Sequence, residues 1–366
     1  MPIERVRYAS NDCEVSIAVD TRAGGRAPMG LWPSVGEYPC YDPYLYFFMS
    51  NDTIRNEAFR TALAPLVDGR TVLDIGTGRD LNWAMEAARH GARLVIAVEE
   101  IEDSYRAALQ RLVKAAEVTT IDLFRGRSFD LEPPQRAEVC VAELIGNIAS
   151  SEGMLAVMAD ARTRLLTPDA VVVPAACATM IGAMSLRSLH PGGPAFSYDG
   201  LTYLQQVFER YGRAFDIRLA VTDPDPAGIV STAEPVESLT FDGSEPCESS
   251  TKVRLTVERA GEIDGFMLWI RLAAGGDARV LDSLTDRTSW SPVYLPVFDP
   301  PVEVHSGETV DIEFSRRTSD DGIHPDYLLR ATLATAAGTV EGSYLSAHHG
   351  PVLGGHAIYR ELWGIG

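Results

Sequence analysis

Two carboxylates nine residues apart raise the question of what this chain does. Glu143 and Glu152 flank small, uncharged residues in AELIGNIASSEGM (142–154). The apolar run AEVCVAEL (137–144) reads as a buried strand that ends at the first of them. Such a pair can clasp a metal, share a proton, or grip one cation from two sides. A metal would want further His or Asp ligands close by, and the loop holds none. A guanidinium suits the third use, being planar, protonated and armed with five N–H donors. Two carboxylates on one loop can engage different edges of that fork and aim one terminal nitrogen. Two unrelated surface glutamates are the bland alternative.

A second stretch points to a cofactor. VLDIGTGRD (72–80) places Gly76 and Gly78 between an apolar run and a helical pattern, where glycine lets the backbone approach a ligand. Asp74 lies within the apolar run, and twenty-five residues later Glu99 ends the next one, where a carboxylate can accept both hydrogen bonds of a ribose diol. Dinucleotides and S-adenosylmethionine both use this layout. A nicotinamide fingerprint requires G-x-G-x-x-G, whereas Arg79, Asp80 and Leu81 follow Gly78. That favours S-adenosylmethionine, with Asp80 read as the N-cap of the helix that follows.

The elements that must position these residues alternate. VLDIG (72–76), RLVIAVE (93–99), EVTTIDLF, AEVCVAEL (137–144) and AVVVPAACATM (170–180) read as strands. LNWAMEAARH (81–90), DSYRAALQRLVKAAE (103–117) and GMLAVMADARTRLL (153–166) read as helices between them. This order predicts a parallel α/β sheet covered on both faces. After about Ser185 helical periodicity survives mainly in YLQQVFERYG (203–212). Short runs such as KVRLTVE (252–258), GFMLWIRLA (265–273) and TVDIEF (309–314) then predict a mostly antiparallel second domain. Upstream, YDPYLYFFM (41–49) leads into a helix starting near Asn51 or Asp52.

Composition narrows the partners. The 366 residues carry a formal net charge of −19, which repels nucleic-acid backbones and anionic membranes and attracts cations. The five cysteines, Cys13, Cys40, Cys140, Cys177 and Cys247, form no C-x-x-C pair and argue against a zinc or disulfide framework. His348 and His349 in SAHHG read as polar residues, not metal ligands, so no metal is expected. No leader or membrane-spanning run stands out, so a cytoplasmic protein is expected. Lysine occurs only at Lys114 and Lys252, so arginine makes up nearly all of the 32 basic residues, a bias of high-GC bacterial genomes.

The run D-I-G-T-G resembles the first motif of Rossmann-like methyltransferases, with Asp80 where a third glycine is usual. The double-glutamate stretch resembles the corresponding loop of protein arginine methyltransferases. MSNDTIRN (49–56) is similar to that family's M-x-x-D-x-x-R element, with an R-N ending like its monomethylating branch. RTSW (287–290) is similar to its T-H-W barrel loop, with Ser289 in place of the histidine. The similarity runs from about Tyr41 to Leu333 and is strongest between Met49 and Pro174.

The resemblance implies three parts: an N-terminal segment (1–50) with an aromatic-rich helix, a Rossmann-like cofactor domain (51–174), and an antiparallel β-barrel domain (175–366). A helical arm near 195–215 would make a homodimer. S-adenosylmethionine would be held by Arg55, Asp74, Gly76, Gly78, Glu99, Ser128 and Glu143, with Arg55 meeting its carboxylate. Met49, Tyr46 and Trp290 would face the substrate, and Asp52 would belong to the site wall. Of the catalytic positions Glu143, Glu152 and Ser289, the first would grip the guanidinium and the second orient the reacting nitrogen and receive its proton. Ser289 removes a neutral-pH proton acceptor, which leaves more of that work to Glu152 or a water. The implied reaction is N-methylation of an arginine guanidino group, on free L-arginine in specialised metabolism or on arginine in a peptide or protein. Some bacterial relatives of this family work on the free amino acid, including the type that feeds nitrosourea biosynthesis. Mono- and dimethylation stay open. A non-catalytic scaffold, suggested by Asp80 and Ser289, is the reading from another class.

Overall fold

The computed structural model describes residues 3–9, 13–21, 30–34, 43–115, 118–190, 192–212, 218–348 and 356–365. Three strands come first, β1 (Ile3–Ala9), β2 (Glu14–Asp20) and β3 (Gly30–Pro33). Helices α1 (Pro43–Asn51) and α2 (Thr53–Leu63) follow. The α/β unit runs β4 (Thr71–Ile75), α3 (Asn82–Arg89), β5 (Leu94–Glu99), α4 (Glu102–Lys114) and β6 (Ile121–Arg125). It continues through β7 (Ala137–Ala142), α5 (Met154–Arg164) and β8 (Leu166–Val173). Beyond it lie β9 (Ala176–Met184), α6 (Leu186–Leu189), β10 (Phe196–Ser197), α7 (Leu201–Tyr211) and β11 (Leu219–Thr222). Next are β12 (Glu234–Thr240), β13 (Ser249–Thr256), β14 (Gly261–Ile263) and β15 (Gly265–Ala273). The last are β16 (Leu281–Asp282), β17 (Val293–Pro296), β18 (Val302–Val304), β19 (Thr309–Thr318), β20 (Pro325–Thr335), β21 (Gly338–Ser346) and α8 (Ala357–Trp363).

The five α/β strands are parallel in the order β6-β5-β4-β7-β8. Every residue of β4 is buried, as expected for a strand covered on both faces. Strand order reverses between β4 and β7, so a crevice opens beyond their carboxyl ends. Gly76 and Glu143 stand just past those two ends. This half is the Rossmann-like domain that the alternation predicts.

The second half is built mainly from antiparallel sheets around one core. β13-β19-β20-β21 form one sheet, and a larger one runs β1-β2-β10-β3-β11-β17-β15-β9-β12. Phe266, Trp269, Tyr294, Phe314 and Tyr327 fill the space between. The mostly antiparallel β domain expected from the sequence is present.

Three boundaries differ from the sequence reading. AVVVPAACATM is not one strand: β8 closes the parallel sheet and β9 enters the large antiparallel one, with Pro174 between them. Proline has no N–H for either ladder, so it suits the joint. The strand in EVTTIDLF begins only at Ile121. The N-terminal segment also does not stand apart, because β3 pairs with β11, with Trp32 opposite Ala220. Around 195–215, α7 buries Tyr203, Leu204, Val207 and Phe208 in the core of its own chain. The Phe208 ring lies 6.2 Å from that of Tyr8 on β1. Among the described residues, no helix is long and apolar enough to cross a membrane.

Candidate active site

The cofactor end of the crevice is made by backbone. Gly76 and Gly78 adopt φ of +73° and +68°, conformations open to glycine at no steric cost. A Cβ on Gly76 would also come within 2.9 Å of Leu144. Gly76 and Thr77 donate their amides to the Val98 carbonyl at 3.0 Å, tying the turn to β5. Glu99 holds the turn from the other side, accepting from Gly78 N at 2.9 Å and from Ile101 N at 2.8 Å. Asp74 lies behind the floor, buried, accepting from Thr77 Oγ1 at 2.6 Å. Burial pushes its carboxyl up to about 7, and burial likewise raises Glu99.

Asp80 is not the helix cap that its position suggested. Leu81 takes a left-handed conformation (φ 50°) and becomes the N-terminal residue of α3 without a side-chain cap. Asp80, at the wall of the cavity, accepts from Ser50 Oγ at 3.0 Å and pairs with Arg111 at 3.5 Å. The acidic side chain is therefore committed to α1 and α4.

Asp52 caps α2 by accepting from Arg55 N at 2.9 Å through one carboxylate oxygen. Its other oxygen accepts from Ser289 N at 2.6 Å, so this carboxylate joins α2 to the barrel loop. The cap places Arg55 inside, only 3% exposed, between the rings of Trp83 (6.0 Å) and Trp290 (5.6 Å). Its guanidinium bridges to Glu143 and donates to the Met49 carbonyl at 3.2 Å. Trp290 is fixed by its indole N–H, which donates to the Ile145 carbonyl at 2.7 Å. Burial pushes the Glu143 carboxyl up to about 7, although Arg55 pulls it down.

The loop between the glutamates is tethered to the barrel. Ala149 N donates to Thr179 Oγ1 at 3.0 Å. Ser150 Oγ donates to Glu237 at 2.6 Å and lies 2.7 Å from the Tyr327 hydroxyl. Glu237 also accepts from Thr179 and pairs with Arg316, each at 2.6 Å, in an ion pair exposed by no more than 3% on either side. Gly153 then starts α5 at φ +77°, against Ile323. A Cβ there would lie 2.5 Å from Ile323 Cγ2. Gly153→Ala is therefore expected to cost at least about 1 kcal/mol in denaturant unfolding and to slow turnover, since it displaces the neighbouring Glu152.

These parts enclose a cavity of about 460 Å³, within the range of small-molecule sites. Met49, Arg55, Gly76, Gly78, Glu99, Ser128, Glu143 and Glu152 all line it. Asp74, Ser289 and Trp290 do not: the first supports the floor and the other two stand behind the Arg55 wall. Trp290, expected against the substrate, is buried and packs on Arg55 instead. The Tyr46 side chain and His349 fall outside the described residues. Trp83, Ile323 and His324 also line the cavity. No local pattern around Ile323 and His324 pointed to them, because a turn between two barrel strands meets the loop only in the folded chain.

The cavity fits S-adenosylmethionine. The positive-φ glycine turn leaves room beside Glu99, and the far wall offers a buried cation, Arg55, next to an acidic pair.

No family model matches the chain. It is 29% identical over 286 residues to the arginine N(omega)-methyltransferase of Streptomyces achromogenes subsp. streptozoticus, covering 73% of this chain and 74% of that one. It is 24% identical over 245 residues to a probable protein arginine N-methyltransferase 6.1 of Oryza sativa subsp. indica, spanning 64% of this chain and 63% of the rice protein. Its fold matches the Trypanosoma brucei PRMT1 enzyme-prozyme heterotetrameric complex with AdoHcy at a TM-score of 0.67. That match has 18% identity and covers 83% of this chain and 98% of the other. The glycine turn, the MSNDTIRN helix start and the double-glutamate loop converge on one cavity, in a chain similar in sequence to arginine N-methyltransferases and in fold to a protein arginine methyltransferase.

Proposed function

We propose that this chain methylates free L-arginine on a terminal guanidino nitrogen, giving N-omega-methyl-L-arginine. The observation that carries the reading is the loop that sets Glu143 and Glu152 into one cavity, with Glu143 backed by Arg55. Similarity over nearly three quarters of both chains to the Streptomyces arginine N(omega)-methyltransferase, whose name specifies arginine rather than a protein, supports the amino acid as acceptor. The acidic surface suits peptide arginine as well, which makes methylation of a protein the second reading.

Gly76, Gly78 and Glu99 would hold the nucleoside part of the cofactor, and Arg55 its carboxylate. S-adenosylmethionine supplies an electrophilic methyl on a sulfonium. Glu143 and Glu152 grip the substrate guanidinium from two edges and draw its positive charge away from the reacting nitrogen. The methyl transfer that the cofactor would supply leaves the nitrogen with one proton to lose, and Glu152 would receive it. Since burial raises Glu143 to about 7, a growing share of sites holds a neutral acid as pH falls below that value. Turnover then declines on the acid side. Met49 on the wall and the R-N ending of MSNDTIRN support a single methylation. Assembly as a homodimer through the segment near 195–215 belongs to the same proposal.

Labelled cofactor offered with L-arginine or with an Arg-Gly-rich peptide tests the acceptor, with mass spectrometry counting methyl groups. Label on arginine is expected. Label confined to the peptide overturns the free-amino-acid reading, and transfer to neither favours a scaffold.

A further inference from the structure

We propose that His324, held by Asp321 and stacked on His348, carries the reaction's proton from Glu152 to solvent. The inference rests on the reading above, in which Glu152 receives that proton. The group replacing the absent histidine at Ser289 would then come from a different loop, the one joining β19 to β20.

His324 and Ile323 line the same cavity as Glu152 and Glu143. A Cβ built on Gly153, the residue after Glu152, would lie 3.6 Å from His324 Cδ2. That carbon adjoins Nε2, so this side of the ring lies beside the start of α5, one residue from Glu152. The ring is about one quarter exposed, so a proton arriving there has a way out to water.

The other edge of the ring is fixed. His324 Nδ1 lies 2.5 Å from Asp321 Oδ2. The other oxygen of Asp321 accepts from Ser319 Oγ at 2.8 Å, Ile323 N at 2.8 Å and His324 N at 2.9 Å. Burial opposes the charge of Asp321, but those hydrogen bonds outweigh it and hold the carboxyl well below the usual range. An ionised Asp321 keeps the proton on Nδ1 and leaves Nε2 as the acceptor, the arrangement that orients a general base. His348 backs the ring, with centroids 4.1 Å apart and planes within 10°. It is itself buried and anchored by its amide, which donates to Asp326 at 2.6 Å.

The same three side chains bring one ligand atom each within 4.8 Å of one another, which also suggests a metal. Nearly parallel stacked rings hold their lone pairs in two separate planes, so one ion cannot lie in the plane of both rings. The trio therefore reads as an Asp–His dyad with a stacked support. Asp321 and His348 contact His324, and His348 Nε2 also lies 3.5 Å from Asp321 Oδ2. Glu143, Glu152, Arg55, Arg79, Asp80, Glu99, Glu100 and Arg127 line the same cavity. Arg55 is paired with Glu143 and Arg316 with Glu237.

In this relay the methylated nitrogen loses its proton to the Glu152 carboxylate, which passes it to His324 Nε2. Nε2 releases it to water, and Asp321 stays ionised throughout. Turnover of His324→Gln and Asp321→Asn, measured in the full chain from about pH 6 to 10 with the acceptor that the wild type methylates, tests this. His324→Gln is expected to lose about tenfold or more in kcat near pH 7 and to approach wild type at high pH, where hydroxide accepts the proton. Asp321→Asn should move in the same direction and serves if the first variant does not fold. Cofactor affinity by calorimetry should change less than about twofold. Wild-type turnover near pH 7, a loss equal at every pH, or stoichiometric metal that disappears in Asp321→Asn overturns the relay. A wild type that methylates no guanidino compound overturns the functional reading and this inference with it.

Discussion

Glu152→Gln is expected to lower kcat by about two to three orders of magnitude while leaving cofactor affinity nearly unchanged. The isosteric amide fills the same space, but it neither withdraws charge from the guanidinium nor takes a proton. Glu152 lines the cavity just before α5, and the buried cation Arg55 pairs with Glu143. Glu143→Gln is expected to behave differently. Glu143 neutralises Arg55, and both line the cavity, so its loss leaves a buried guanidinium without its counter-charge. Turnover and cofactor affinity should then fall together. Steady-state kinetics on both variants, with calorimetric titration of S-adenosylmethionine, check the split. Wild-type turnover in Glu152→Gln, or equal losses of cofactor affinity in both, would remove the division of labour.

The ionised form of Glu143 serves binding at some cost to the fold. Its carboxyl is raised above the unfolded value of 4.5 by burial, so the folded chain holds that proton more tightly than the unfolded one. Its contribution to stability is present at low pH and is lost as pH rises from about 4.5 through about 7. The chain thus keeps a destabilising charge where a cation is to be gripped.

Glu237→Gln is the second large effect, and it should appear in stability before chemistry. Glu237 and Arg316 are buried together, and Glu237 also accepts from Ser150 and Thr179. Removing one charge strands the other in a low-dielectric interior, a loss of about 3–5 kcal/mol. Arg316→Met should cost a comparable amount, whereas the double change Glu237→Met with Arg316→Met should recover much of it. Denaturant unfolding of the three variants measures the coupling. The double variant should still turn over slowly, because Ser150 has lost its acceptor and the glutamate loop its hold on the barrel. Additive losses across the cycle would show the pair to be uncoupled, contrary to its geometry.

Periodicity alone determined much of this protein. VLDIG, RLVIAVE and AEVCVAEL are strands because unbroken apolar runs must be buried on both faces, and amphipathic stretches between them can only cover those faces. Gly76 and Gly78 were legible because a left-handed turn at a strand end needs glycine whatever surrounds it. The two glutamates were legible because their spacing along one loop is short. Asp80 shows where local rules stop: it has the residue type and position of a cap, yet Leu81 takes that place and Asp80 bonds to α1 and α4.

What only the tertiary structure decided lies far apart in sequence. Arg55 meets Glu143 across 88 residues, Ser150 meets Tyr327 across 177, and Asp52 meets Ser289 across 237. No spacing rule encodes such meetings, since they follow from how the antiparallel domain docks on the parallel sheet. The same docking sends Trp290 behind Arg55 rather than against the substrate, and brings His324 to the loop that begins with Glu143. Hydrogen-bonding period acts over a few residues and can be read from them. The convergence of buried charges is set by which surfaces must leave water together, and that is a property of the whole packed chain.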